Sequence, residues 1–207
     1  MTQPTTLEPQ YFDALYETAS DPWGFESRWY ERRKYAISIG LLPAPRYLAA
    51  FEPGCSIGVL SALLAPRCDR LLSCDGAKAA VRAAKARTEQ LPCVRVEQRT
   101  LPEDWPRGRF DLIVFSELLY YFGDSDLREI IHRGATSLRP GGTLLAVHWR
   151  HPVADYPRSG DSAHSALAAH SALARLARHE EADFLAEVYV RTDGAAPLSV
   201  AQATGLA

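Results

Sequence analysis

The segment Glu52-Pro53-Gly54-Cys55-Ser56-Ile57-Gly58 places two glycines and an acid where an apolar run gives way to a helical one. Gly54 leaves room for a ligand to approach the backbone, and Gly58 lets the following helix pack close to the strand. Glu52 puts a carboxylate at the strand's end, which suits a ligand carrying an ammonium group. A dinucleotide fingerprint, G-x-G-x-x-G, needs a middle glycine so that the backbone can reach a pyrophosphate. Ser56 holds that position, which disfavours a pyrophosphate and with it a nicotinamide-dependent oxidoreductase. The next apolar run, LLSCD, ends on Asp75, 75 − 54 = 21 residues beyond the first glycine, the spacing at which an acid reaches a ribose diol. Two features therefore point to one adenosine-bearing ligand. Without a ligand, the same residues would be a packing turn and a helix cap at Gly76.

These residues need a sheet to hold them. Short apolar runs (YLAAFEP, LLSCD, VRVEQ, FDLIVFS and GTLLAVHW) read as buried strands. Helical stretches separate them at residues 57–65, 76–90 and 125–138, the last starting at a Ser125 cap after Asp124. Five alternations of strand and helix predict an α/β fold, a parallel sheet covered on both faces. FDLIVFSELLYYF runs a buried strand into an aromatic segment at the carboxyl edge, where open α/β sheets bind ligands. Upstream, an aromatic-rich segment reads as two helices around Asp21-Pro22-Trp23-Gly24, the second over residues 25–42. Downstream, HPVADYPRSGD reads as a loop, followed by an Ala-rich helix to about Ala174 and then two antiparallel strands, ARHEE and DFLAEVYVRTD.

At 207 residues, against about 150 per domain, one domain with embellishments is expected. It divides into a helical cap over residues 1–45, a core over 46–193 and a frayed or disordered tail over 194–207. The 47% hydrophobic and 23% charged content excludes a disordered chain. Lys plus Arg number 23 and Asp plus Glu 25, so a net charge of -2 gives no general attraction to nucleic acid or anionic lipid. Neither is expected as a partner. MTQPTTLEPQ lacks the basic and apolar regions of a leader, no stretch approaches ~18 apolar residues, and the expected location is the cytoplasm. Cys55, Cys68, Cys74 and Cys93 form no C-x-x-C pair and read as small core residues, so no metal is expected.

The ordered set AFEPGCSIG, LLSCDG, RFDLIVFSELLYYF and LRPGGTLLAVHW resembles the class I S-adenosylmethionine-dependent methyltransferases. YFDALYETASDPWGF together with SELLYYF narrows the likeness to the nodulation protein S (NodS) branch, over residues 10–191. The resemblance implies a Rossmann-like, seven-stranded, mostly parallel sheet with an antiparallel last strand and an N-terminal helical cap. It implies S-adenosyl-L-methionine as cofactor. Gly54, Cys55 and Gly58 would surround its methionine part, Glu52 would be the acid closing the first strand, and Asp75 beside Gly76 would take the ribose. Leu101 would flank the adenine. Thr100 stands where relatives often have Asp, so an adenine-amine hydrogen bond there would come from a hydroxyl or be absent. Ser116 and Glu117 would lie beside the sulfonium.

Methyl transfer from a sulfonium mainly requires alignment and exclusion of water. An amine acceptor must also lose a proton, and Glu117 and His148 are the candidates to take it. The alternatives are a helix-start carboxylate for Glu117 and a satisfied strand-end residue for His148. Tyr120 and Tyr121 could contact the substrate or belong to the core. Trp23, Trp29, Tyr30 and Tyr35 suggest a lid, with Tyr11 and Trp23 its expected members against the cofactor, while Arg32, Arg33 and Lys34 read as a solvated face. The branch implies a small-molecule acceptor, the free amine of a deacetylated glucosamine unit in a chitin-like oligosaccharide. A monomer or homodimer is expected. An O-methyltransferase on another metabolite, or a non-catalytic cofactor-binding module with a protein partner, would keep the same motifs.

Overall fold

The computed structural model describes residues 5–207, so residues 1–4 of the expected cap lie outside it. Seven strands form one sheet: β1 (Ala50–Pro53), β2 (Leu71–Asp75), β3 (Val94–Gln98), β4 (Phe110–Ser116), β5 (Leu138–Trp149), β6 (Leu173–Glu180) and β7 (Phe184–Arg191). Their order is β3-β2-β1-β4-β5-β7-β6, with β7 antiparallel to both neighbours and the other pairings parallel. The chain winds outward from β1 to one edge and returns to β4 on β1's other side. That reversal opens a crevice at the strands' carboxyl ends, the usual ligand position in such sheets.

Alternation along β4 explains the two-sided core. Ile113 and Phe115 pack with α5 (Asp124–Ser137) on one face, while Leu112 and Val114 join Tyr35, Leu60 and Leu64 on the other. Helix α5 buries Leu127, Ile130, Ile131, Gly134 and Ala135, the i, i+3, i+4, i+7, i+8 stripe of a helix lying on a sheet. The other face carries α2 (Trp29–Leu41) and α3 (Val59–Leu64). Helix α4 (Lys78–Arg87) packs beside β3, and α6 (Gly160–Ala168) lies against β5 and β7. A 3-10 turn, Leu119–Tyr121, joins β4 to α5.

Several local expectations change. The second cap helix begins at Trp29, because Gly24 at φ +71° and hydrogen bonds from the Phe25 and Glu26 N–H groups to Asp21 hold residues 21–27 in turns. Helix α5 starts after Gly123 with no side-chain cap, so Ser125 lies within its first turn, between Asp124 and Asp126. The Ala-rich helix stops at Ala168, because residues 173 and 174 pair with β7 as the first part of β6. The tail is not frayed throughout: Ser199 and Gln202 form a capping box on the single turn α7 (Val200–Ala203). Cys55, Cys68 and Cys74 are buried as expected, whereas Cys93 is half-buried, and all four thiols are free. No helix among the described residues is long and apolar enough to cross a membrane.

Gly58 makes a close helix–helix contact beside the glycine loop. Its φ is +78°, and an added Cβ would stand 3.0 Å from both Cα and Cβ of Ala84 on α4. It therefore spaces α3 from α4 rather than from the strand. Gly58→Ala combines a left-handed alanine with overpacking, at about 1–2 and 1–3 kcal/mol respectively. A lower urea midpoint with unchanged m-value is expected.

Candidate functional site

A cavity of about 470 Å³ opens at the carboxyl ends of β1, β2 and β4. Its floor is the loop after β1. At Gly54, φ +73° would strain any side chain, and a Cβ there would also have to push aside the end of the Leu118 side chain at 2.8 Å. The N–H groups of Gly54 and Cys55 both donate to the Cys74 carbonyl, at 2.7 and 2.9 Å, which ties this loop to β2. Ser56 takes a left-handed conformation (φ 49°) although it is not glycine. Its N–H donates to Asp75 Oδ2 at 2.9 Å, and its hydroxyl shares a hydrogen bond of 2.5 Å with Tyr16. Tyr16 belongs to α1 (Pro9–Thr18), which has no buried residue of its own and is held over the cavity by such contacts.

Two acids serve this floor. Asp75 accepts from Ser56 N–H through Oδ2 and from Ala77 N–H through Oδ1, so it links the glycine loop to the start of α4 while lining the cavity. Burial raises its carboxyl and those N–H groups pull it back. Glu52 is buried and accepts at Oε2 from the hydroxyls of Ser61 and Ser73. Burial pushes it up to about 7, against the pull of the two hydroxyls. Gly76, Thr100 and Leu101 line the far side; Thr100 is exposed and its N–H donates to Asp104 Oδ2 at 3.1 Å.

Ser116 and Glu117 bring β4 to the near end. Glu117 sits at φ 53°, a left-handed conformation that non-glycine residues seldom adopt. Its carboxylate is tied on several sides. Lys34 Nζ reaches Oε1 at 2.5 Å, while Oε2 accepts from the Tyr120 hydroxyl and, at 2.9 Å, from Trp149 N–H. Lys34 is 2% exposed and also pairs with Glu31 at 2.9 Å. Two carboxyls thus share one ammonium. Burial raises the Glu31 carboxyl, opposed by Lys34. The Lys34 ammonium is held above its ordinary range: burial lowers it, but Glu117 and Glu31 more than compensate.

The structure gathers most of the expected residues and moves others away. Glu52, Gly54, Cys55, Asp75, Gly76, Thr100, Leu101, Ser116, Glu117, Tyr121 and Trp23 line the cavity. Tyr11 does not, because its ring sits edge-on to Phe12 with its hydroxyl towards Asp155 and Tyr156, so Phe12, Tyr16 and Phe25 do the roofing. Gly58 lies outside it for the packing reason given above. His148 is fully buried with both ring nitrogens hydrogen-bonded, to Leu119 N–H and to His164, and has no face on the cavity. It cannot take a proton from a molecule there. Tyr120 also faces elsewhere, onto a second cleft of about 190 Å³ shared with Trp149 and Tyr156, where its ring stacks on Tyr156 at 4.9 Å. Arg32 and Arg33 are exposed as expected of a solvated face, whereas Lys34 is buried and paired. The signal missed was the i, i+3 spacing of Glu31 and Lys34 on the face that also carries Tyr35 and Ser38.

Comparison with known proteins converges on one family. The family model for nodulation protein S (NodS) matches residues 14–175. Nodulation protein S of Rhizobium tropici is 32% identical over 129 residues, 61% of this chain and 54% of that protein. The chain therefore spans about half the length of that relative. A Pseudomonas syringae protein provisionally assigned as a methyltransferase is 47% identical, with a TM-score of 0.71 over 79% of this chain and all of the other. The N-methyltransferase NodS of Bradyrhizobium japonicum WM9, in complex with S-adenosyl-L-homocysteine, is 25% identical, with a TM-score of 0.78 over 88% of this chain and 97% of the other.

Lys34→Met would leave two carboxyls facing each other out of water. The expected loss is about 3–5 kcal/mol, the range for breaking one side of a buried ion pair. Adding Glu117→Gln should restore part of it, and urea denaturation of the single and double variants measures the coupling. A single-variant loss below about 1 kcal/mol, as for exposed pairs, would show that the ion cluster does not hold α2 down.

Proposed function

Because this chain belongs to the nodulation protein S family, we propose that it is an S-adenosylmethionine-dependent methyltransferase that methylates an amine on a small molecule. The observation that carries this reading is the pairing, in one cavity, of Asp75 at the ribose-binding position of the fold with Glu117 at the end of β4. The residues fit the cofactor's parts. Asp75 keeps carboxylate lone pairs beyond its two N–H bonds for a diol, and Glu52 offers a buried carboxylate to an α-ammonium. Gly54 has no side chain to obstruct the thioether region, and the volume falls in the usual range of about 300–1,000 Å³ for small-molecule sites.

When bound, S-adenosylmethionine supplies an electrophilic methyl group on a positively charged sulfur. The amine nitrogen's lone pair forms the new N–C bond as the S–C bond breaks to sulfur, and the nitrogen must shed one proton. Glu117 receives that proton or the hydrogen bond that precedes its loss, and Lys34 and Tyr120 hold the carboxylate in place. Glu31 shares the same ammonium. Trp23, Phe25 and Tyr16 exclude water from above. The acceptor we favour is an amino sugar, as in a deacetylated chitin-like oligosaccharide. The cleft beside Tyr120, behind the Tyr120–Glu117 hydrogen bond, offers the partly exposed rings of Trp149 and Tyr156 to further sugar units.

Melting with S-adenosylhomocysteine, S-adenosylmethionine and NADH tests the cofactor. The two sulfur nucleosides at ~100 times their Kd should each add roughly 2.7 kcal/mol, and NADH nothing. Asp75→Ala should weaken nucleoside binding about 10- to 100-fold, the loss of a charged hydrogen-bond acceptor. Glu117→Gln should lower kcat by about 10²-fold with the nucleoside Kd little changed. Equal turnover in that variant across pH removes Glu117 as proton acceptor.

The Glu52 carboxyl, raised to about 7, gives a pH signature. Only its ionised form pairs with the ligand's ammonium, so binding below pH 7 must first expel a proton. Nucleoside affinity should fall by about tenfold per pH unit below 7 and level off above it. Calorimetry in buffers of different ionisation heat should show proton release at pH 6.5, absent in Glu52→Gln. Flat affinity from pH 6 to 8 would overturn the assignment.

A further inference from the structure

Behind the cavity, three buried ionisable side chains take no part in the proposed chemistry. His148 on β5, His164 on α6 and Glu187 on β7 stand in a line beneath the turn after β4. Leu119 N–H donates to His148 Nε2 at 3.0 Å, His148 Nδ1 and His164 Nε2 are 3.0 Å apart, and His164 Nδ1 lies 2.7 Å from Glu187 Oε2. The Tyr189 hydroxyl also donates to Glu187 Oε2, while Arg175 at 2.9 Å and Arg178 at 3.4 Å approach Oε1 from the sheet edge.

Hydrogen-bond polarity allows this line one arrangement. An amide can only donate, so His148 Nε2 must carry a lone pair and its Nδ1 the proton. His164 Nε2 must then accept, which puts its proton on Nδ1, pointing at Glu187. A second proton on either ring would set two N–H groups against each other. The line ends at a backbone amide, which neither takes nor gives up protons in catalysis, so it is not a path to the substrate. Its effect is mechanical. It pins Leu119, which is followed directly by Tyr120, whose ring packs edge-on against His148 at 5.2 Å, and preceded two places earlier by Glu117 in its left-handed conformation. Glu117 N–H further donates to the Val147 carbonyl, next to His148. Gly160 lets α6 close on β5 here: a Cβ would meet the Trp149 carbonyl oxygen at 2.3 Å and His148 Cβ at 2.9 Å.

We propose that His148, His164 and Glu187 form a one-directional hydrogen-bonded strut that holds the Leu119–Tyr121 turn, making the two histidines positioning residues for Glu117. The link to turnover rests on the methyltransferase reading; the strut itself does not. In ¹⁵N-labelled full-length protein, both imidazoles should appear at neutral pH as neutral Nδ1–H tautomers by long-range ¹H–¹⁵N correlation. An Nε2–H tautomer or a doubly protonated ring at either position overturns the strut. In His164→Ala, the Leu119 amide should exchange with solvent at least tenfold faster, and unchanged exchange also overturns it. S-adenosylhomocysteine affinity in that variant should stay within twofold while kcat falls about tenfold. His164→Gln, which can accept from His148 and donate to Glu187, should recover most of both losses. Intact kcat in His164→Ala with faster Leu119 exchange would refute the positioning role. Should no amine be methylated by the wild-type chain, the tautomer and exchange results still decide the strut, and only the functional reading fails.

Discussion

An ammonium and two carboxyls taken out of water must repay several kcal/mol each, and do so only if all three arrive together. The Lys34 cluster imposes that condition on this fold. Lys34 and Glu31 come from α2, Glu117 from the end of β4, and the N–H completing the Glu117 shell from Trp149 at the end of β5. The helical cap and the parallel sheet are therefore not independent layers. Tyr30 and Tyr35 lie within cation–π distance of the same ammonium, and Tyr30 meets Trp149 edge-on at 5.4 Å, so aromatic packing closes round the ions.

The two ends of the cavity share a backbone device. Ser56 after β1 and Glu117 after β4 are the non-glycine residues at positive φ among those described, and each is held by hydrogen bonds on both sides. Ser56 donates its N–H to Asp75 and shares a hydroxyl hydrogen bond with Tyr16; Glu117 donates its N–H to the Val147 carbonyl and its carboxylate accepts from Lys34. Backbone strain of this kind persists only where the surroundings over-determine it, and it gathers where a side chain must be aimed. A glycine at 56 would relieve the strain and lose the hydroxyl that meets the cap.

Much of this was legible in the amino-acid order. Buried parallel strands read as unbroken apolar runs, and the glycine loop and Asp75 follow from a spacing that backbone geometry dictates. The cap resisted because α2 buries Glu31, Lys34, Tyr35 and Ser38, a stripe with helical spacing and little hydrophobicity, so three neighbouring cations looked alike when one is internal. The sequence singles out His148, but its partners lie 16 residues away on α6 and, through a further link, on β7. No local pattern connects them. Alanine favours helix in isolation, so composition extends the helix after residue 160 further than the fold does, where pairing with β7 assigns residues 173 and 174 to a strand.

Strand β7 lies between β5 and β6, so synthesis meets the sheet out of order. A nascent chain that has emerged only to residue 180 owns the glycine loop, Asp75, Glu117 and both strut histidines, yet β5 still presents a bare row of backbone groups. Glu187, the anchor of the strut, has not emerged. Such an intermediate carries an open, apolar strand edge, the feature most prone to pairing with another chain. Closure waits on residues 184–191, which cover β5 and complete the support beneath Glu117 in one step. Translation pauses or truncations in residues 184–191 would yield aggregation rather than a merely weakened fold.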